Sequence, residues 1–95
     1  MANQIKGKIV SVSPDGDLVS DISADQLDGV PRDESVSISC DGHATAGIFT
    51  TDHQEPKMTF LAVINVDDQL QISLVGARAS EFLGINVGSV LVLKW

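Results

Sequence analysis

The chain is poor in several residue types, and each shortage closes a class of function. One cysteine stands among 95 residues, there is no tyrosine, and six lysines and arginines face thirteen aspartates and glutamates. A single thiol, Cys40, excludes an internal disulfide and a thiolate zinc cage built from one chain. Its neighbour Asp41 would raise a thiol pKa rather than lower it, so Cys40 reads as an ordinary strand-end thiol. The net charge of −7 repels phosphate backbones. Lysine and arginine form no cluster, which argues against nucleic acid as a partner. No apolar stretch approaches the roughly 20 residues of a membrane span. The start, Met1 to Lys6, lacks the apolar run of a signal peptide, so the expected compartment is the cytoplasm. No Gly-x-Gly-x-x-Gly, Walker loop or Gly-x-Ser-x-Gly elbow occurs, and the chain reads as non-catalytic, with no cofactor implied.

What remains is a pattern of short strands and turns. At 95 residues the chain forms one domain, spanning 1–95, with one modest core. Ile5 to Val12, I-K-G-K-I-V-S-V, is β-branched enough for a strand, although its apolar positions break strict alternation. Ser13-Pro14-Asp15-Gly16-Asp17 is a turn, because proline presets φ and glycine accepts a positive φ. Leu18 to Ser20 then closes a hairpin. Ser23 to Leu27 reads as a helical turn, with Ser23 as N-cap, Gln26 as its capping-box partner and Gly29 as the stop.

Glu34 to Cys40 alternates, with Val36 and Ile38 on one face, and Asp41-Gly42 turns it into a run from Ala44 to Phe49. Thr50 to Lys57 is a polar loop. Met58 to Val66, the most apolar segment, is the candidate central strand. Leu70, Ile72 and Leu74 alternate with Gln71 and Ser73 in the next one. Ala77 to Leu83 reads as a short helix ended by Gly84, and Val90 to Leu93 as the last strand. The aromatics Phe49, Phe60, Phe82 and Trp95 are assigned to core packing. Six or seven short strands with one or two short helices indicate an all-β fold, a small Greek-key-like β-barrel.

Two metal readings follow from the acidic residues and histidines. Asp15, Asp17 and Asp21 would share one face of an extended segment and form a loose cation site, although an EF-hand loop from Asp15 fails at three defining positions. A zinc site would need both His43 and His53 with carboxylates such as Asp41, Asp52 or Glu55. The bland readings, a solvated turn and exposed loop histidines, fit the same residues.

Taken in order, several stretches resemble one known domain. They are I-K-G-K-I-V-S-V, Pro14-Asp15-Gly16-Asp17-Leu18-Val19-Ser20-Asp21-Ile22, Leu70-Gln71-Ile72-Ser73-Leu74, Gly76-Ala77-Arg78-Ala79, Leu83-Gly84-Ile85 and Gly88-Ser89-Val90-Leu91-Val92. The sequence is similar to the C-terminal domain of the S-adenosyl-L-methionine hydroxide adenosyltransferases, which include the chlorinases and fluorinases. The resemblance covers about Ile5 to Lys94 and lies in order and spacing rather than in one exclusive motif.

The resemblance implies a β-barrel that follows a larger N-terminal domain, assembled as a trimer. The S-adenosylmethionine site then lies between the N-domain of one chain and the C-domain of its neighbour, the C-domain holding adenine. The family's Phe-Gly-Asn turn corresponds to Asp15, Gly16 and Asp17, so the glycine is kept while the ring and amide are absent. Its Thr-Asn-Ile corresponds to Ser20-Asp21-Ile22, and a second family aromatic falls near Thr51. The family's arginine and asparagine before the small helix fall at about Leu74-Val75-Gly76, leaving the backbone to read a base edge.

The candidate ligand-binding residues are therefore Asp15, Gly16, Asp17, Asp21, Thr51, Val75, Gly76 and Ala77. Backbone N–H groups at the start of the helix would hold an anion or a base edge. The expected role is a ligand-binding or assembly module for adenosine or S-adenosylmethionine. The alternatives are half of a split adenosyltransferase completed by a separate N-domain, and a cation-binding barrel. A homo-oligomer is expected, a trimer by the resemblance or a dimer by general frequency.

Overall fold

The computed structural model describes residues 3–95. Among them eight strands form one sheet that curls into a nearly closed barrel. They are β1 (Gln4–Val12), β2 (Leu18–Ser23), β3 (Ser37–Cys40), β4 (His43–Ala46), β5 (Ile48–Thr50), β6 (Phe60–Ile64), β7 (Gln69–Leu74) and β8 (Val90–Lys94). A 3₁₀ turn, Ala24–Leu27, follows β2, and one short helix, α1 (Ala79–Leu83), precedes β8. The strand order is β4-β3-β8-β1-β2-β7-β6-β5, antiparallel throughout except for the parallel pair β5–β6. At the seam, the Thr45 hydroxyl of β4 donates to the Phe60 carbonyl of β6 at 2.9 Å. The all-β barrel expected from the strand pattern is the observed fold. No helix among the described residues is long and apolar enough to cross a membrane.

The strand count exceeds the expected six or seven because the run from Ala44 to Phe49 does not stay whole. Gly47 adopts φ +84, and the chain leaves β3 there to pair with β6 as β5. For the same reason β6 lies one strand from the end of the sheet rather than at its middle. The broken alternation of β1 also has a structural cause. Pairing runs Ile9 to Ser20 and then Ser11 to Val19, so Val10 is an extra bulged residue. Ile9 points into the core, while Val10 and Val12 face outward.

Ile9, Leu18, Ile38, Leu70, Ile72, Leu91 and Leu93 are fully buried and fill the barrel. Burying each such side chain is worth about 1.5–3 kcal/mol relative to exposure. The expected turns form where local chemistry demanded them. The Ser13 N–H donates to Asp17 O and the Gly16 N–H to Ser13 O, both at 2.9 Å. Asp41 and Gly42 both take positive φ in the β3–β4 hairpin. At the 3₁₀ turn the Gln26 side chain accepts the Ser23 N–H at 2.9 Å.

The aromatic assignment needs two corrections. Phe60 and Trp95 lean on the core, but Phe49 on β5 sits half-buried against His53 outside the core, and Phe82 on α1 is 65% exposed. The short helix α1 packs on the core through Ala79 instead. It belongs to the β7–β8 connection, which crosses the β1–β2 turn. The Ser80 N–H donates to the Gly16 carbonyl at 3.0 Å, and a Cβ on Gly16 would sit 2.6 Å from Arg78 Cβ. Only glycine, here at φ +86, allows this approach.

Candidate functional site

The crossing of α1 over the β1–β2 turn leaves a groove beside it. The turn supplies Pro14, Asp15 and Asp17, the outward face of β7 supplies Gln71 and Ser73, and the segment after β7 supplies Val75, Gly76, Ala77 and Arg78. Thr51 and His53 close the far wall, and the volume is about 550 Å³. A second recess of about 510 Å³ shares Asp15, Asp17, Thr51 and Gln71 and continues to Asn65 and Val66. The two join through these shared residues into one groove of mixed character, with apolar stretches at Val63 and Leu74.

Six of the eight residues selected from the sequence line this groove: Asp15, Asp17, Thr51, Val75, Gly76 and Ala77. Gly16 lies beneath it, buried against Arg78, and acts on the groove only by letting α1 dock. Asp21 belongs elsewhere. Its Oδ1 accepts the Lys8 N–H at 3.0 Å, just past Ile9–Ser20, where the β1–β2 pairing ends. The Asp15, Asp17 and Asp21 cation reading fails on this placement. Among the described residues no group of three His, Cys, Asp or Glu side chains is placed to hold a metal. The zinc reading fails likewise, because His43 Nε2 sits 3.2 Å from the Leu83 carbonyl while His53 Nδ1 accepts the Glu55 N–H.

Two of the backbone N–H groups before the helix are already engaged. The Val75 N–H donates to Thr59 O and the Ala77 N–H to Leu74 O, each at 3.0 Å. Side-chain donors that the sequence did not single out also face the groove. Arg78 Nη1 donates to the Pro14 carbonyl at 2.6 Å, and its Nε pairs with Glu81 at 3.1 Å. Both partners are well exposed, so this ion pair contributes little to stability. Gln71 Nε2 lies 3.4 Å from both Asp17 Oδ2 and Ser73 Oγ. The strict alternation of β7 did mark Gln71 and Ser73 as outward facing. It could not reveal which loop they would meet.

His53 brings a ring to the groove, set edge to face against Phe49 at 6.2 Å between centroids. Cys40 lies outside the groove at the end of β3 and is buried; burial, with a smaller push from Asp41, raises its thiol pKa. That suits a structural thiol.

No protein-family model and no curated protein matches the chain. Among solved structures it is similar to an uncharacterized conserved protein from Thermotoga maritima, with a TM-score of 0.78 and 15% identity over 100% of this chain. It is also similar to a conserved hypothetical protein from Thermus thermophilus, with a TM-score of 0.68 and 12% identity over 94% of this chain. At such identities the likeness shows the fold alone. The chain covers 38% and 34% of those two chains, so it spans little more than a third of their length.

Proposed function

We propose that the chain is a non-catalytic cytoplasmic barrel module that holds a nucleoside-type ligand, adenosine or S-adenosylmethionine, in the groove between the β1–β2 turn and α1. The observation that carries this reading is the convergence of Asp15, Asp17, Thr51, Val75, Gly76 and Ala77 on one groove of about 550 Å³. These residues come from three separate parts of the chain. They were singled out by their correspondence to the adenine-holding residues of the adenosyltransferase C-terminal domains. The groove is of ordinary small-ligand size, with an apolar strip for a ring and a few polar groups to orient it. His53 offers a stacking surface in place of the absent family aromatics.

A second reading is that this barrel supplies half a site to a separate domain. It is favoured by the length of the similar solved chains, nearly two thirds of which lies outside the shared barrel. A covering domain would close the groove over a ligand held on one side only. Association with further copies is part of the proposal. Val66 is 87% exposed, Phe82 65% and Val87 58%, apolar surface that an assembly would cover.

A thermal-shift titration with adenosine and S-adenosylmethionine tests the binding reading. Saturable stabilisation is expected, about 2.7 kcal/mol at a hundredfold excess over Kd. A flat response to both at millimolar concentration would leave only a scaffold. Sedimentation tests association, with a trimer or dimer expected and a monomer contradicting it.

A further inference from the structure

We infer that Gln71 is the residue that reads the ligand's hydrogen-bonding edge, presenting an N–H donor beside the Asp17 acceptor, and that Asn65 is the positioning residue that fixes this orientation. The inference rests on the ligand-binding reading above. A carboxamide has two ends of nearly equal shape and opposite hydrogen-bonding character, so its partners decide which end faces a ligand.

Here the decision begins at the backbone. Asn65 Oδ1 accepts the Asp67 N–H at 2.9 Å and the Gln69 N–H at 3.0 Å. Backbone N–H groups only donate, so the Asn65 oxygen must face them and its Nδ2 must face β7. There Nδ2 donates to Gln71 Oε1 at 3.1 Å. With its oxygen held toward Asn65, Gln71 can only turn Nε2 toward Asp17 and Ser73. Those two contacts are both 3.4 Å, beyond the usual 2.7–3.2 Å range, so the donor is loosely held and free to shift to a ligand. Asp17, when ionised, only accepts.

The groove therefore offers a donor next to an acceptor, from a rigid strand and a tight turn. A planar ligand satisfies both with an acceptor beside an N–H donor, as on the edge of a 6-aminopurine. A purine lacking the amino group would leave the Asp17 carboxylate unpaired. Sites built to bond an N–H discriminate strongly against analogues without it. The Val75 and Ala77 N–H groups are already engaged, which leaves these side chains as a donor and acceptor pair facing the groove.

Calorimetric titration of the full chain with adenosine and with purine riboside tests this. The wild type is expected to prefer adenosine by about tenfold or more. Gln71→Leu should weaken both nucleosides, because both keep the ring nitrogen that accepts its N–H, while the preference, carried by Asp17, remains. Gln71→Glu, which keeps the shape and removes the donor, should weaken both too and guards against a packing defect in the first variant. Asn65→Ala should weaken both nucleosides in the wild-type background but not in the Gln71→Leu background, which a merely structural role would not do. If Gln71→Leu and Gln71→Glu bind adenosine with unchanged affinity, the inference is overturned and the groove reading stands. If the wild type binds neither nucleoside, both fall together.

Discussion

At the end of β2 that runs into the 3₁₀ turn, polar side chains are committed to the fold. The Ser20 hydroxyl is fully buried, donates to Leu70 O at 2.5 Å and accepts the Ile22 N–H at 3.2 Å. Asp21 accepts the Lys8 N–H, and Gln26 the Ser23 N–H. At the other end, across the β1–β2 turn, the same residue types keep spare capacity. Asp17 meets Gln71 only at 3.4 Å, and Asp15 makes no side-chain bond among those of the described residues. Four positions separate Asp17 from Asp21, yet one faces a groove and the other takes up the Lys8 N–H. Irregular pairing explains the difference. The β2–β7 pairing skips between Val19 and Ser23, so the Leu70 carbonyl and the Ile22 N–H take the Ser20 hydroxyl, while the β1–β2 pairing ends at Ile9–Ser20 and the Lys8 N–H takes Asp21. At the turn the backbone closes on itself with help from the Ser13 hydroxyl, which accepts the Asp17 N–H, and the aspartate side chains are left over.

Substitutions can break this contrast, and the largest effect is expected at the joint between the turn and α1. Gly16→Val would force a side chain into Arg78 at a positive φ, costing about 3 kcal/mol of a total stability of roughly 5–15 kcal/mol. Chemical denaturation should show it, together with loss of any ligand binding, because α1 could no longer dock. Next comes Ser20→Ala. Removing the hydroxyl leaves the buried Ile22 N–H and Leu70 carbonyl short of a partner and should cost about 2 kcal/mol, or roughly 10 °C in Tm, with the groove intact.

The comparison sharpens with paired variants at the two aspartates. Asp21→Ala should lower stability by about 1 kcal/mol and leave ligand affinity unchanged. Asp17→Ala should change stability by less than about 0.5 kcal/mol and weaken adenosine binding. Thermal melts with and without adenosine separate the two, and an inverted pattern would refute the division of labour between the ends of the hairpin.

The legible parts of this fold were those fixed by neighbours in sequence. Proline and glycine at Pro14 and Gly16 specify their turn, Asp41-Gly42 specifies a hairpin, and the alternation of Leu70, Ile72 and Leu74 specifies a half-buried strand. Gly47 was harder, because a glycine inside a strand pattern does not say whether the chain bulges or changes partner. The same limit governs the groove. Asp17 and Gln71 are 54 residues apart, and Asn65 acts on Gln71 only because the β6–β7 turn folds it back. Asp15, Asp17, Thr51 and the Val75–Ala77 segment were found by resemblance to a domain whose order they share. Asp21, selected by the same route, lies outside the groove on the Lys8 N–H, since a correspondence in sequence carries no information about where strand pairing ends.

The division between a ligand-facing turn and a fold-committed strand end stands or falls on a two-dimensional ¹⁵N–¹H spectrum of the labelled chain titrated with adenosine. The expected shifts lie at Asp15 to Asp17, Thr51, Val75 to Arg78 and the Gln71 side-chain amide, with Lys8 and Asp21 to Ser23 unmoved. Shifts centred on Lys8 and Asp21, or none at all at millimolar adenosine, would contradict it.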